Sequence, residues 1–140
     1  MSLRILRATL DDSYLTSMTI RTHTFTADEP VDVGGTDAAA TPIELLMGSL
    51  ASCTAITIRM YAVRKAWPLT GVDVQVDYAS TPTPLLVKHV TLRGGLDDAQ
   101  RARLIDIANR CPVSKLLAAG VAMEMRLVEG EDPAPASNGG

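Results

Sequence analysis

Two cysteines are the residues of this chain best suited to nucleophilic or redox chemistry. Cys53 and Cys111 are too far apart in sequence for a C-x-x-C redox pair or a local metal-binding knuckle. Two cysteines in 140 residues are also too few for a disulfide scaffold. Free cysteines are often buried as small apolar residues, so the plainest interpretation is two unreactive thiols. The residues around them decide whether a reactive pair is the better hypothesis.

Other residue patterns give weaker chemical hypotheses. His23 and His89 could join the cysteines in a zinc site, but four single residues lack the spacing of zinc ligands, and we expect no metal. Gly34-Gly35 is not typical of a phosphate-binding loop because no G-x-G-x-x-G or G-K-[ST] sequence follows it. Five methionines are typical of a core, although the same soft side chains would suit a pocket for an apolar substrate: Met18, Met47, Met60, Met123 and Met125.

The composition indicates one globular domain over residues 1–130. Hydrophobic residues make up 46% of the chain and charged residues 21%, which is not typical of a disordered protein. Residues 131–140 are rich in Pro, Ala, Ser and Gly, and we expect a disordered tail there. The net charge of −3 argues against a nucleic-acid partner. We find no apolar run of about 18 residues and no apolar leader, so we expect no membrane association and a cytoplasmic location.

A long helix is predicted to hold Cys53 near its middle. Thr41 as N-cap, Pro42 at the first helical position and Glu44 form a capping box before the run 43–65. Apolar residues point in every direction around this helix, which predicts burial on all sides. A chain of 140 residues is too short to cover it alone, so we infer a partner subunit.

The remaining segments predict strands and two further helices. Residues 1–27 are rich in β-branched residues and break at Asp11-Asp12-Ser13, which favours a hairpin or a three-stranded meander. A loop of a length that is often functional follows at 28–40. The later elements are strands at 72–78 and 86–92, a helix from Asp97 to about Arg110, a short helix from Pro112 to Ala119, and a last strand at 121–127. This order predicts an α+β fold with a mostly antiparallel sheet and helices on one side.

Three segments of the chain together carry a family resemblance. They are Asp28-Glu29-Pro30 with Gly34-Gly35, Thr41-Pro42-Ile43-Glu44-Leu45-Leu46 leading to Cys53, and Arg110-Cys111-Pro112-Val113-Ser114. In these segments the chain resembles the OsmC/Ohr family, whose members reduce organic hydroperoxides with a pair of cysteines. The resemblance covers about residues 20–128 and implies an OsmC-like fold and an intertwined homodimer with two active sites at the subunit interface.

The resemblance also implies roles for the two cysteines. Cys53 corresponds to the peroxidatic cysteine, which becomes a sulfenic acid on reaction with a hydroperoxide. Cys111 corresponds to the resolving cysteine, which closes a disulfide that an external thiol then reduces. No bound cofactor is implied, and lipoyl-type reductants serve the organic-hydroperoxide branch of the family.

A thiolate at Cys53 would need a nearby cation, because apolar surroundings in the middle of a helix disfavour the charged form. Family members use an arginine that is held by a glutamate. Arg21, which precedes the Asp-Glu-Pro segment, is our candidate, and an ordinary strand-edge charge is the alternative for it. The competing arginines are Arg4, Arg7 and Arg126.

The glutamate departs from the family pattern. In the best-studied members it precedes the cysteine by ten residues, a position that Ile43 occupies here, whereas Glu44 lies one residue later. At about 100° and 1.5 Å per residue, Glu44 lies on the opposite helix face from Cys53 and roughly 13 Å away. We therefore expect Glu44 to cap its own helix. The alternative is that its carboxylate belongs to the active site of the partner subunit.

These patterns favour a thiol-dependent peroxidase that reduces organic hydroperoxides in oxidative-stress defence. The shift from Ile43 to Glu44 favours an alternative, a non-enzymatic OsmC-like dimer that binds an apolar small molecule or senses redox state. A third hypothesis is an interaction module in which both cysteines serve only packing. Rapid reaction of Cys53 with a thiol reagent near neutral pH would distinguish the peroxidase from the last of these.

Overall fold

The computed structural model describes residues 3–130, and an N-terminal meander comes first. Strands β1 (Leu6–Thr9), β2 (Thr16–Ile20) and β3 (His23–Ala27) pair antiparallel in the order β1-β2-β3. A two-residue turn joins β2 to β3 and places Arg21 at a φ of 52°. The structure confirms the three-stranded meander among the two predicted arrangements.

The segment between β3 and the first helix folds around one buried carboxylate. Asp28 accepts hydrogen bonds from the Thr36 hydroxyl at 2.6 Å and from the backbone N–H groups of Glu29, Thr36 and Ala38. The Thr36 hydroxyl and these amides lower the pKa of Asp28 to about 2. Gly35 lies so close to the Glu29 carbonyl that a β-carbon would collide with it. This loop therefore has a tight internal structure of its own.

The predicted long helix, α1, spans Pro42–Arg64 and begins at the predicted capping box. The Thr41 hydroxyl accepts from the Glu44 N–H at 3.1 Å, and the Glu44 carboxylate accepts from the Thr41 N–H at 2.9 Å. The buried face of α1 packs against the elements that follow it in sequence. That face consists of Leu50, Thr54, Ile58, Tyr61 and Ala62.

The rest of α1 is not covered by this chain. Ile56, Met60 and Val63 are each more than half exposed. This agrees with the expectation that one chain of this length cannot cover α1 on every side, because the elements that follow α1 in sequence pack on one face of it. Burial of the remaining faces by a partner subunit stays a prediction. Covering the other face would require a second molecule.

By length and composition alone, α1 could also cross a membrane. The expectation that no segment is long and apolar enough for a span is thus wrong for this helix. The helix nevertheless uses its buried face to pack on the elements that follow it in sequence, as the core helix of a globular domain does.

Strands β4 (Leu69–Ala79) and β5 (Leu85–Gly94) form an antiparallel hairpin, and helices α2 (Asp98–Ala108) and α3 (Pro112–Ala119) follow. Of these, β4, α2 and α3 pack on α1.

The hydrophobic core lies between α1, the β4-β5 hairpin and α2. Its buried residues are Ile58, Tyr61, Ala62, Leu69, Leu96, Leu104 and Ala108. The predicted capping box at Asp97 and Gln100 is confirmed at the start of α2, with the Gln100 N–H donating to the Asp97 carboxylate at 2.7 Å. This core packing holds the β4-β5 hairpin and α2 against α1.

The last predicted strand is not formed. Residues 121–127 have the alternating pattern of a strand, but they pair with no strand in the described part of the chain. Met123, Met125 and Leu127 are each more than 90% exposed. A strand requires a neighbour to satisfy its backbone groups, and residues 3–130 place no strand beside this segment. The antiparallel strands also form two separate sheets rather than one, and the tail expected at 131–140 lies outside the described residues.

Candidate active site

The fold brings Cys53 and Cys111 together where α3 begins beside the middle of α1. The Cys111 sulfur lies 3.6 Å from the Thr54 hydroxyl, and Thr54 directly follows Cys53 on α1. Cys53 is near enough to Cys111 to be among the side chains that lower the pKa of the Cys111 thiol. Both cysteines are free thiols. The pair predicted from the sequence therefore meets in space, although the two residues come from different helices.

Cys53 is the accessible member of the pair. It is half-buried and lines a shallow depression of about 420 Å³ on the exposed side of α1. The walls of this depression are mostly apolar and include residues from both helices. The lining residues are Ser49, Ser52, Cys53, Ile56, Thr57, Met60, Pro112 and Val113. A small apolar molecule can therefore approach the Cys53 sulfur.

Cys111 is fully buried and is the N-cap residue of α3. Pro112 follows at the first helical position, so the free N–H of Ser114 points back to the Cys111 sulfur at 3.4 Å. The Ser114 hydroxyl lies 3.0 Å from the same sulfur. The sequence Cys-Pro-Val-Ser thus places an amide and a hydroxyl on one thiol, because the third helical residue faces the N-cap.

These contacts change the acidity of Cys111. Burial by itself raises the pKa of this thiol, but hydrogen bonds with the Ser114 hydroxyl and amide oppose it, and those with Thr54 and Cys53 add to the opposition. The net result is a pKa lowered from 9.0 to about 7. A substantial fraction of Cys111 is therefore thiolate near neutral pH.

Lys88 is the site residue that the sequence analysis missed. Its ammonium group donates to the Ser114 hydroxyl at 2.9 Å, to the Ala108 carbonyl at 3.0 Å and to the Thr54 hydroxyl at 3.3 Å. The signal was present in the alternation of β5, where Lys88 shares the inward face with Leu86 and Val90. A lysine on the apolar face of a strand requires polar partners in the interior.

The sequence also matches a family. Residues 35–126 match the model of the family described as OsmC-like protein. The chain belongs to the OsmC/Ohr family. No curated protein matches the sequence.

Solved structures of other family members resemble this OsmC-like protein in fold. An osmotic stress and detoxification response protein of Psychrobacter arcticus is 26% identical with a TM-score of 0.70, over 82% of this chain and 88% of that one. An organic hydroperoxide resistance protein of Legionella pneumophila is 22% identical with a TM-score of 0.58, over 84% and 90%. The organic hydroperoxide resistance protein OhrB of Bacillus subtilis is 16% identical with a TM-score of 0.56, over 81% and 89%.

Arg21 does not line the depression at Cys53 of this OsmC-like protein. It is exposed at the turn between β2 and β3, in the sheet that packs mainly on itself. The competing arginines are equally remote from this depression: Arg4 and Arg7 are exposed near the N-terminus, and Arg126 pairs with Glu124 in the segment that forms no strand. None of the described residues that line the depression is a cation.

Glu44 caps α1, as expected. The backbone and side-chain hydrogen bonds with Thr41 lower the pKa of the Glu44 carboxyl, which keeps it charged in the cap. The alternative, service to a partner's site, stays a prediction. Within residues 3–130, no three His, Cys, Asp or Glu side chains converge on one point, and His89 pairs instead with Asp77 at 3.0 Å.

Proposed function

We propose that this OsmC-like protein is a thiol-dependent peroxidase that reduces organic hydroperoxides in oxidative-stress defence. The observation that supports it most is that an accessible thiol, Cys53, lies beside a buried, acidic thiol, Cys111. Two relatives of the same fold are named for organic hydroperoxide resistance, which agrees with this reaction.

In the first step, the sulfur of Cys53 attacks the terminal oxygen of the hydroperoxide. Cys53 is a near neighbour of Cys111 and helps to lower its pKa, and in this step the Cys111 thiolate accepts the proton of the Cys53 thiol. An S–O bond forms and the O–O bond breaks. Cys53 becomes a sulfenic acid, and the leaving alkoxide takes a proton from water to become the alcohol.

In the second step, Cys111 attacks the sulfenic sulfur of Cys53. An S–S bond forms, the S–O bond breaks, and the hydroxide leaves as water with the proton that Cys111 had accepted. The two electrons that reduced the peroxide have come from the two thiols. An external dithiol then supplies two electrons and two protons to reopen the disulfide. We expect a lipoyl-type dithiol in this role and no bound cofactor.

The depression at Cys53 supports an organic rather than an inorganic substrate. Ile56, Met60 and Val113 provide apolar and adaptable contacts for an alkyl chain. Hydrogen peroxide would leave these surfaces unused. We therefore expect a higher kcat/KM for a bulky alkyl hydroperoxide than for hydrogen peroxide.

A steady-state assay with a dithiol reductant tests this proposal. The expected result is turnover of an alkyl hydroperoxide, slower turnover of hydrogen peroxide, and no turnover of either by Cys53→Ser. Ser52→Ala is a matched control, because Ser52 lines the same depression and its hydroxyl bonds only the Ser49 carbonyl. Equal, uncatalysed rates in the wild type and Cys53→Ser would overturn the proposal.

A second candidate is a non-enzymatic OsmC-like dimer that binds an apolar small molecule or senses redox state. It is favoured by Glu44, which caps α1, and by the absence of any cation among the described residues that line the depression. Under this candidate, an alkyl compound without a peroxide group would bind the depression at Cys53, and the wild type would consume no hydroperoxide. The same assay, run beside a binding titration, separates the two.

We also propose that the protein functions as a homodimer. The uncovered face of α1 and the unpaired segment 121–127 together expose large apolar side chains, including Met60, Met123 and Leu127. A second copy is the partner that the family resemblance implies for these surfaces, and it would lie next to the depression at Cys53.

A further inference from the structure

Among residues 3–130, no carboxylate lies within salt-bridge distance of the Lys88 ammonium group. Its three N–H donors are all used, and all three acceptors are neutral: the Ser114 hydroxyl, the Thr54 hydroxyl and the Ala108 carbonyl. A half-buried cation without a counter-ion favours any nearby group that can become an anion.

The group that can become an anion beside Lys88 is Cys111. The two hydroxyls that accept hydrogen bonds from Lys88 are the same two that contact the Cys111 sulfur. The Ser114 hydroxyl lies 3.0 Å from this sulfur and the Thr54 hydroxyl 3.6 Å. Through Ser114 the path measures 2.9 and then 3.0 Å, so the ammonium and the sulfur lie within about 6 Å of each other.

We propose that Lys88 is a positioning residue that holds Cys111 as a thiolate through the hydroxyls of Ser114 and Thr54. The inference concerns how the second cysteine of the proposed peroxidase is charged, so its role in turnover rests on the proposed function. Lys88 does not line the depression at Cys53, and it acts through the two hydroxyls.

The hydrogen-bond pattern explains how the charge is transmitted. The Ser114 oxygen accepts from Lys88 and from the neutral Cys111 thiol, so its own hydrogen is free to turn toward the sulfur when the thiol ionises. An oxygen that accepts from a cation becomes a better donor, because polarisation strengthens the next bond in the chain. Thr54 now donates to the Leu50 carbonyl at 2.8 Å, and it can swing this hydrogen to Cys111 when the thiol ionises.

No other charged group replaces Lys88 in this arrangement. From α1, the facing groups are the Cys53 thiol and the neutral Thr54 hydroxyl. Arg110 precedes Cys111, but its guanidinium pairs with the Asp106 carboxylate at 2.9 Å. Lys115 on α3 is exposed. On β5, only Lys88 reaches the hydroxyls around the Cys111 sulfur in the part of the chain that the structure describes.

A thiolate titration of the reduced protein tests the inference. In a Cys53→Ser background, the ultraviolet absorbance of the thiolate reports on Cys111, and the Cys53→Ser, Cys111→Ser double variant provides the baseline. Lys88→Met removes the charge and keeps the length of the side chain. We expect its titration midpoint to rise by about one pH unit or more, the usual effect of losing a nearby opposite charge.

Three further variants make the result specific. Lys88→Arg keeps the charge and should restore part of the shift. Lys115→Met removes an exposed lysine from the same helix as Ser114 and should leave the midpoint unchanged. Ser114→Ala breaks the shortest path while Lys88 remains, and it should raise the midpoint, which keeps the test decisive if Lys88→Met does not fold. A midpoint in Lys88→Met or Ser114→Ala that equals that of Lys115→Met would overturn the proposal.

The titration needs no peroxide turnover, so its failure differs from a failure of the proposed function. A protein that titrates as expected but consumes no hydroperoxide would retain the role of Lys88 and lose the peroxidase. An active peroxidase whose Lys88→Met variant titrates like the control would retain the function and lose the role of Lys88.

Discussion

The middle of α1 and the start of α3 each present one cysteine, and they surround it in opposite ways. Cys53 opens into an apolar depression and has no described cation in that lining, whereas Cys111 is fully buried among hydroxyls, an amide and, beyond them, an ammonium group. The position along the helix explains this contrast. A residue in the middle of a helix finds its backbone groups already paired, while an N-cap residue faces free N–H donors.

This contrast divides the requirements of thiol chemistry between two residues. Access to a substrate requires exposure, and exposure near apolar walls does little to stabilise a charge. Stabilising a thiolate requires convergent donors, and here such donors exclude the substrate. The two cysteines are neighbours in the fold, so the accessible Cys53 and the acidic Cys111 make both properties available at one site.

The largest expected effect comes from removing the accessible thiol. Cys53→Ser should abolish turnover of alkyl hydroperoxides, since the hydroxyl is a far weaker nucleophile at neutral pH. The fold should persist, because the change is nearly isosteric at a half-buried position. Steady-state kinetics and circular dichroism measure the two outcomes. Turnover that persists in this variant would exclude Cys53 from the mechanism.

Removing the buried thiol should have a different signature. In Cys111→Ser, Cys53 should still be oxidised, but the sulfenic acid has no partner and should proceed to sulfinic acid with excess peroxide. The new hydroxyl keeps Ser114 and Thr54 as neighbours, so the protein should fold. Intact mass after stepwise addition of peroxide measures this. A Cys111→Ser variant that resists overoxidation as well as the wild type does would contradict the division of roles.

The contrast also predicts how the molecule associates. The exposed face of α1 that carries Met60 should be covered by a second copy, so the wild type should be a dimer at micromolar concentration. Met60→Glu places a charge on this face and should shift the protein toward monomer, whereas Lys115→Glu changes an exposed charge elsewhere and should not. Light scattering measures the mass. A wild type that is a stable, soluble monomer would contradict this prediction.

The smallest expected effect concerns stability and pH. Because the folded state lowers the pKa of Cys111 from 9.0 to about 7, the ionised thiol favours the folded form. The contribution of Cys111 to the free energy of unfolding is fully present above pH 9 and is lost as the pH falls through 7. As the pH rises from 7 to 9, the reduced wild type should therefore become more stable relative to Cys111→Ser. Urea unfolding at several pH values measures the difference, and parallel pH dependence in both proteins would contradict it.

Much of the fold could be predicted because its signals are local. The capping boxes at Thr41 and Asp97 fix the starts of α1 and α2, and both depend on residues three positions apart. The turn at Asp11-Asp12-Ser13 similarly defines the first hairpin. The last strand could not be assigned correctly from its alternation alone, since a strand also needs a neighbour that local sequence does not specify.

The candidate site was predicted only in part for the same reason. Cys53 and Cys111 could be proposed from the residues that surround each of them, and the Cys-Pro-Val-Ser segment indicates the cap at Cys111. Lys88 could not be joined to them, because its partners lie on α1, α2 and α3, and only the packed hairpin brings β5 to all three. The activating role of Arg21 stays a prediction.

The most direct test of the division of roles is mass spectrometry of the reduced wild type after one equivalent of an alkyl hydroperoxide. Cys53 and Cys111 are neighbours in the fold, so we predict an intramolecular disulfide between them, with the loss of two hydrogens and no added oxygen. Peptide mapping without reduction locates the bond. Two free thiols after treatment, or sulfinic acid on Cys53 without a disulfide, would contradict the account.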